Sequence, residues 1–117
     1  MMSSSTHALI VAVVKKGWGD RLIEYSMKAG ASGGTVMYGR GMGIHEKQKL
    51  MGICIEPEKE IVLSVVPRDK ENSIMEEIVR SAELDKPGNG IVFILPIEKV
   101  AGMVHTLMAD GKPITDH

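Results

Sequence analysis

The feature that most constrains the fold is one pattern that occurs in both halves of the chain. Each half has an apolar run, a short turn, a helical stretch and a second apolar run. The segments VAVVKKGWGDRL (11–22) and LSVVPRDKENSI (63–74) also resemble each other. The pattern therefore predicts the order β-α-β, loop, β-α-β. The predicted strands are 8–14, 33–41, 60–66 and 91–97, and the predicted helices are 21–30 and 70–83.

Helical spacing and stop signals support the two helices. Leu22, Tyr25 and Ala29 recur on one face of the first helix, and Gly30 follows as a stop. In the second helix, apolar residues recur at i, i+4, and Asp69 before the helix is predicted to cap its start. These repeating residues are Ile74 with Ile78 and Met75 with Val79.

This order predicts an α+β fold of the ferredoxin-like, split βαβ type. Its four-stranded antiparallel sheet carries two helices on one face and a long loop between strands 2 and 3. The strands read as nearly continuous apolar runs, so both sheet faces are expected to be apolar. The helices cover only one face of the sheet. The uncovered apolar face therefore predicts that copies of the chain associate into a homo-oligomer.

Composition excludes several classes of protein. The net charge of −1 argues against a nucleic-acid partner, and the single cysteine, Cys54, fits a reducing compartment. No apolar run approaches the roughly 20 residues that span a bilayer, and the N-terminus lacks a signal-peptide pattern. We therefore expect a cytoplasmic protein. Neither metal-ligand spacing nor a nucleophile next to a base was found among Cys54 and the four histidines, which are His7, His45, His105 and His117.

The run YGRGMGIHEKQKL (38–50) places glycine at Gly39, Gly41 and Gly43. Alternate residues of a strand share one face, so one face here has no side chains. A ligand or a neighbouring chain could approach such a backbone closely. The alternative is a twisted strand end that leaves the sheet.

Two further glycine-containing turns are candidate ligand sites. In KPGNG (86–90), Gly88 and Gly90 flank Asn89, and backbone amides could face a ligand. In KKGWGDR (15–21), two lysines precede a helix N-terminus, which is a plausible anion site. For each, the alternative is an ordinary tight turn.

The segment between the halves, residues 44–58, has no clear helical or strand period. A loop of this length inside a small domain is usually functional or disordered. The alternative is an ordered hairpin with Gly52 near its tip. We expect residues 1–7 to be disordered, 8–104 to form the domain, and 105–117 to be loosely ordered.

These motifs together resemble the PII signal-transduction proteins, the trimeric nitrogen regulators. TVMYGRGMGIH (35–45) follows the family pattern T-V-x-x-V-[KR]-G-[FW]-G-[RK]-Q as far as Gly43. KPGNGIVFILPIE (86–98) resembles K-I-G-D-G-K-I-F-V-L-P-V-E, and VVPRD (65–69) resembles V-V-x-D-D. The similarity covers about residues 8–104.

The resemblance implies a homotrimeric regulator without enzyme activity. In the family, the glycine strand forms the base of the T-loop, which is about 44–58 here, and lies against a nucleotide between two subunits. The residues implied at such a cleft are Thr35, Gly41, Met42, Gly43, Lys59, Val65, Gly88, Asn89 and Gly90. Lys59 falls near the family's 2-oxoglutarate position. The T-loop residues implied to contact a membrane transporter or metabolic enzyme are His45, Lys47, Lys49, Leu50 and Met51.

Several family contacts to ATP phosphates are altered in this chain. Apolar residues or glycine replace basic ones at Ile44, Ile91, Gly102 and Val104, and His45 replaces a glutamine. A charge-assisted hydrogen bond contributes about 1.5–3 kcal/mol. The sequence therefore predicts weak or no ATP binding and argues against ordinary ATP and 2-oxoglutarate sensing. A less charged adenine nucleotide, another small anion and no ligand at all are the alternatives that this leaves open.

Two alternatives belong to other functional classes. Acylphosphatases share the ferredoxin-like layout and hold phosphate at the first helix, where Arg21 and Asn89 are the candidate catalytic residues here. The other alternative is a trimeric scaffold that binds no ligand.

Overall fold

A computed structural model describes residues 6–41, 48–50, 53–55 and 57–102. Within them, four long strands, two helices and two short strands follow one another along the chain. The elements are β1 (His7–Lys15), α1 (Gly19–Lys28), β2 (Thr35–Arg40), β3 (Gln48–Leu50), β4 (Ile53–Ile55), β5 (Glu58–Pro67), α2 (Glu71–Ser81) and β6 (Gly90–Pro96).

The four long strands form one sheet in the order β2-β5-β1-β6, with every pair antiparallel. In the centre of the sheet, Val11 of β1 lies opposite Leu63 of β5 and Phe93 of β6. The two halves of the chain therefore interleave, because each outer strand pairs with the first strand of the other half. This confirms the predicted ferredoxin-like α+β fold.

The core lies between the sheet and the two helices. Ile10, Ala12 and Val14 alternate along β1 and are fully or almost fully buried. They belong to the same apolar cluster as Leu22 of α1 and Ile74 of α2. Burying a side chain of this size contributes about 1.5–3 kcal/mol, so this aliphatic layer accounts for most of the packing of the helices on the sheet.

The opposite face of the sheet is apolar and has no covering layer in the described part of the chain. Alternation places Leu9, Val11 and Val13 of β1 on this face. Its exposed members lie on the two edge strands, which leaves large hydrophobic side chains open to solvent. They are Met37 of β2 and Ile91, Phe93 and Leu95 of β6.

The helix ends correct two details of the sequence prediction. Helix α1 begins at Gly19 rather than at residue 21, and Gly30, with φ of +118°, follows its end as predicted. The predicted Asp69 cap is wrong. Arg68–Lys70 form a 3-10 turn, so Asp69 lies within that turn, and Lys70 is the N-cap of α2 without a side-chain cap hydrogen bond.

The segment between the halves contains strands that its sequence did not predict. Strands β3 and β4 pair antiparallel, with Leu50 opposite Ile53 and Gln48 opposite Ile55. The prediction of a segment without a strand period is therefore wrong for these six residues. The antiparallel pairing agrees with the ordered hairpin of the alternative interpretation, whereas Gly52 lies outside the described residues.

Candidate functional site

The glycine end of β2 has space that the described residues do not fill. Gly39 lies opposite Lys59 of β5, and the Gly41 N–H donates to the Pro57 carbonyl oxygen at 3.2 Å. A Cβ atom at Gly39 would lie 3.5 Å from Ile61 Cδ1, and one at Gly41 would lie 3.7 Å from Lys59 Cγ. Both are ordinary contacts. Packing against the described residues therefore does not require glycine at either position.

The predicted contacts on β2 and β5 share one face of the sheet. Because side chains alternate between the two faces of a sheet, the face that the helices leave uncovered carries Thr35, Gly41, Lys59 and Val65. Thr35 and Val65 lie close together, because Thr35 is opposite Leu63. Gly41 lies six positions along the chain from Thr35, and Lys59 lies six positions from Val65. Six positions correspond to roughly 20 Å along a strand. A ligand that touches both ends must therefore be elongated.

The turn before β6 has structural reasons for its composition. Gly88 and Gly90 have φ of +85° and +139°, and a Cβ atom at Gly90 would collide with the Val13 carbonyl oxygen. Asn89 Nδ2 donates to the carbonyl oxygens of Glu83 at 3.0 Å and Ala82 at 3.4 Å, so the side chain caps the end of α2. The tight-turn interpretation accounts for both Asn89 and Gly90.

The two glycine segments lie at the same end of the sheet but on opposite edges. Gly39 pairs with Lys59, Lys59 with Lys15, and Gly90 with Val14. Three strand spacings, roughly 14 Å, therefore separate β2 from β6. The single chain does not bring these segments together. They could form one cleft only if two copies of the chain lay side by side.

The first turn, predicted as a possible anion site, already holds a carboxylate of the protein. The Gly17 N–H donates to Glu60 Oε2 at 2.6 Å, and the Gly19 N–H donates to Glu60 Oε1 at 2.8 Å. Glu60 is 7% exposed. The negative carboxylate also interacts favourably with the positive end of α1. This turn therefore stabilises the fold, and the prediction of an external anion there is not supported.

The side chains that the acylphosphatase alternative requires are engaged elsewhere. The Arg21 guanidinium lies 5.2 Å from the centroid of the Trp18 ring, and Asn89 caps α2. Since Glu60 fills the turn before α1, the structure offers no phosphate loop there. These contacts argue against the enzyme alternative.

A solvent-open depression of about 420 Å³ lies on the edge of the sheet at the glycine end of β2. It is lined by Lys16, Tyr38, Gly39, Arg40, Glu58 and Lys59. The sequence analysis did not select Tyr38 or Glu58. The alternation that exposes Gly39 and Gly41 on one face also places Tyr38 and Arg40 on the other, so the same pattern could have identified them.

Lys16 and Glu58 form an ion pair in this depression. Lys16 Nζ lies 2.7 Å from Glu58 Oε2, and both side chains are largely exposed. Its hydrogen bond and charge raise the pKa of Lys16 and lower the pKa of Glu58. Both groups therefore remain charged at neutral pH.

The other predicted residues lie partly outside the described ranges. Met42, Gly43, His45, Lys47 and Met51 lie outside them, whereas Lys49 and Leu50 belong to β3. Residues 6–41, 48–50, 53–55 and 57–102 contain no group of three or more His, Cys, Asp and Glu side chains that could hold a metal ion. Neither α1 nor α2, the helices of the described part, is long and apolar enough to cross a membrane.

Comparison with known proteins agrees with this fold. The chain matches a solved structure of the B. subtilis GlnK–ATP complex with a TM-score of 0.63 and 21% sequence identity, over 84% of this chain and 86% of that chain. No curated protein matches it in sequence. The family model described as nitrogen regulatory protein P-II matches residues 7–105. The chain therefore belongs to the P-II family, whose members are signal-transduction regulators rather than enzymes.

Proposed function

We propose that this protein senses a small metabolite or nucleotide on the uncovered face of the sheet at the glycine end of β2, and thereby controls a membrane transporter or metabolic enzyme. One observation carries the proposal. Gly39 and Gly41 have room for a Cβ atom among the described residues, so the packing of those residues is not the reason for glycine. A ligand lying directly on the backbone gives a reason for glycine.

The length of the site supports an adenine nucleotide as the ligand. Thr35 with Val65 and Gly41 with Lys59 mark two ends that lie roughly 20 Å apart on one face. A molecule with a base at one end and phosphates at the other is elongated enough to approach both. The GlnK structure to which the chain is similar is an ATP complex. Met42 and Gly43 complete the proposed contacts.

The charge of the proposed site favours nucleotides with fewer phosphates than ATP. Ile91, where the family has a lysine, is 58% exposed and cannot pair with a phosphate. Gly102 likewise has no cationic side chain. Because each lost charge-assisted contact costs about 1.5–3 kcal/mol, ATP should bind much more weakly than it does with those contacts present.

A homotrimer in the cytoplasm is the proposed assembly and location. Two arrangements in the structure support association: the apolar face has no covering layer among the described residues, and the two glycine segments lie on opposite edges. Side-by-side copies would bury that face and place Gly88–Gly90 of one copy near Gly41 of the next. The ligand would then lie between subunits.

The proposed contact with the regulated partner is made by the segment between β2 and β5. Lys49 and Leu50 lie in β3, and His45, Lys47 and Met51 flank it in sequence. Cationic and apolar residues that occur together in one segment suit a protein interface. Hydrogen exchange over residues 46–54 tests this role. Exchange that slows when ligand is added supports a ligand-controlled segment, and slow exchange that ligand does not change contradicts it.

Titration calorimetry with AMP, ADP, ATP and 2-oxoglutarate tests the proposed sensing. We expect saturable binding of at least one adenine nucleotide, with ATP not the tightest. Tight, Mg²⁺-dependent ATP binding would contradict the charge argument. If no compound binds the intact oligomer, the ligand-free scaffold is the better interpretation.

A further inference from the structure

Helix α2 carries a second apolar row that the core does not use. Ile74 and Ile78 are buried and belong to the core cluster. Met75 and Val79 repeat with the same spacing but are only partly buried, and among the described residues neither packs against that cluster. Each follows a core residue by one position, which is about 100° of helical turn. The second row is therefore turned out of the core.

A solvent-open groove of about 500 Å³ runs along this row. It is lined by Asn72, Met75, Glu76, Val79, Arg80 and Asp85. Asn72, Glu76 and Arg80 repeat at i, i+4, as do Met75 and Val79, so the groove lies between two neighbouring ridges of α2. The ridges extend for about 12 Å along the helix axis. A groove of this form accepts the side-chain ridge of another helix.

The groove remains negative once the ion pairs around it are counted. Residues 71–86 carry five carboxylates and two cations, which are Glu71, Glu76, Glu77, Glu83 and Asp85 against Arg80 and Lys86. Ion pairs within the described residues neutralise three of these carboxylates: Arg68–Glu71, Arg80–Glu77 and Lys86–Glu83. Glu76 and Asp85 form no ion pair within the described part of the chain. Lys70, the other cation nearby, lies beside Gly30 at the end of α1.

We propose that this groove, hereafter the α2 groove, binds a basic amphipathic helix of another protein. Apolar side chains of that helix pack on Met75 and Val79, and its lysine or arginine side chains pair with Glu76 and Asp85. A second copy of this chain fits poorly, because its own α2 brings the same unpaired carboxylates into the contact.

The α2 groove is separate from the surfaces described above. It lies on a helix, whereas the proposed subunit interface and nucleotide contacts lie on the uncovered face of the sheet. It therefore stays accessible in an assembly that buries that face. It shares no residue with the proposed nucleotide contacts, so the two proposals can fail independently.

Titration of the full chain with a synthetic leucine–lysine helical peptide, at neutral pH and constant ionic strength, tests the proposal. The leucines of the peptide follow helical spacing, and a peptide with glutamate in place of lysine forms the second arm. Backbone amide shifts of Met75 and Val79 report on the groove. We expect saturable shifts with the lysine peptide and none with the glutamate peptide. If the lysine peptide does not saturate these shifts, or if the glutamate peptide binds as tightly, the proposal is wrong.

Two substitutions with matched controls separate the groove from general attraction to the surface. Met75→Gln removes the apolar end of the side chain and should raise the Kd about five- to tenfold, whereas Met27→Gln on α1, where the side chain is 50% exposed, should not change it. Because exposed ion pairs are weak, Glu76→Gln should raise the Kd about two- to fivefold. Glu24→Gln makes the same charge change at an exposed position of α1 and should leave the Kd unchanged.

Equal effects within either pair of substitutions would overturn the α2 groove as the binding site. Shifts of Met75 and Val79 that depend on the concentration of the protein alone would identify a second copy as the occupant, and would overturn the proposal of another protein.

Discussion

The carboxylate of Glu60 lies 2.8 Å from the backbone nitrogen of Gly19, although the two residues are 41 positions apart in the sequence. Glu60, on strand β5, thus accepts a hydrogen bond at the N-terminus of α1. A Cβ atom at Gly19 would lie 2.5 Å from the same carboxylate oxygen, so the contact requires glycine there. The bond links the two halves of the chain. It also explains why α1 begins earlier than its hydrophobic period predicts.

Replacing Glu60 should destabilise the fold. Glu60→Ala leaves the N–H groups of Gly17 and Gly19 without their acceptor in a largely buried place. An unsatisfied buried donor costs about 1–3 kcal/mol, and we expect a loss of at least that size in the free energy of unfolding. Urea denaturation measures it. Glu58→Ala, two residues earlier on β5 and with a largely exposed side chain, is the control and should change stability little. Equal effects of the two substitutions would contradict the role of Glu60.

Stability should fall on acidification through His7. This side chain is 2% exposed, and its Nε2 has no hydrogen-bond partner in the described part of the chain. Burial lowers the pKa of His7 from 6.5, although Asp69 opposes the shift. The unfolded chain therefore binds a proton more readily, and the stabilisation present above pH 6.5 is lost as the pH falls through and below this value.

Comparison with His7→Gln isolates this contribution. The difference in free energy of unfolding between wild type and variant should shrink between pH 7.5 and pH 5.5, because only the wild type loses the histidine contribution. Other groups titrate alike in both proteins. A difference that stays constant over this range would show that His7 does not control the pH dependence.

A charge on the uncovered sheet face should dissociate the oligomer. Leu95 of β6 is 46% exposed on that face, and Leu95→Lys would place an ammonium in the proposed subunit interface. Met27 of α1 is 50% exposed on the helix side, so Met27→Lys is a matched control. Light scattering should give a smaller species for Leu95→Lys alone. A trimer with unchanged stability in both variants would exclude this face as the interface, and a monomeric wild type would exclude the trimer.

Much of the fold could be predicted from local pattern, because aliphatic periods identify elements independently of their partners. The spacing of Leu22, Ile74 and Ile78 predicted the helix faces that the structure buries. Helix starts were less predictable, since that of α1 depends on Glu60, a residue distant in sequence. Strands β3 and β4 were missed because three-residue strands are too short to show a period.

The site was only partly predictable for a similar reason. Glycine spacing identified Gly39 and Gly41, but the Cβ contacts that distinguish them from Gly90 depend on neighbouring strands. Asn89 was assigned to a ligand from its position in a turn, whereas its side chain caps α2. Ion pairs such as Lys16–Glu58 join residues distant in sequence, and no local pattern indicates them.

The central claim is that Gly41 is glycine because a ligand lies against it, and Gly41→Ala tests this most directly. The added methyl group meets Lys59 Cγ at an ordinary 3.7 Å, so the thermal midpoint should stay unchanged or rise slightly. Gly90→Ala, which collides with the Val13 carbonyl oxygen, should lower it clearly. Titration calorimetry of Gly41→Ala with the nucleotide that binds wild type most tightly is the decisive measurement. We predict at least about a tenfold weaker Kd in a stably folded protein, equivalent to about 1.4 kcal/mol of lost binding. A stable Gly41→Ala protein with wild-type affinity would contradict the claim.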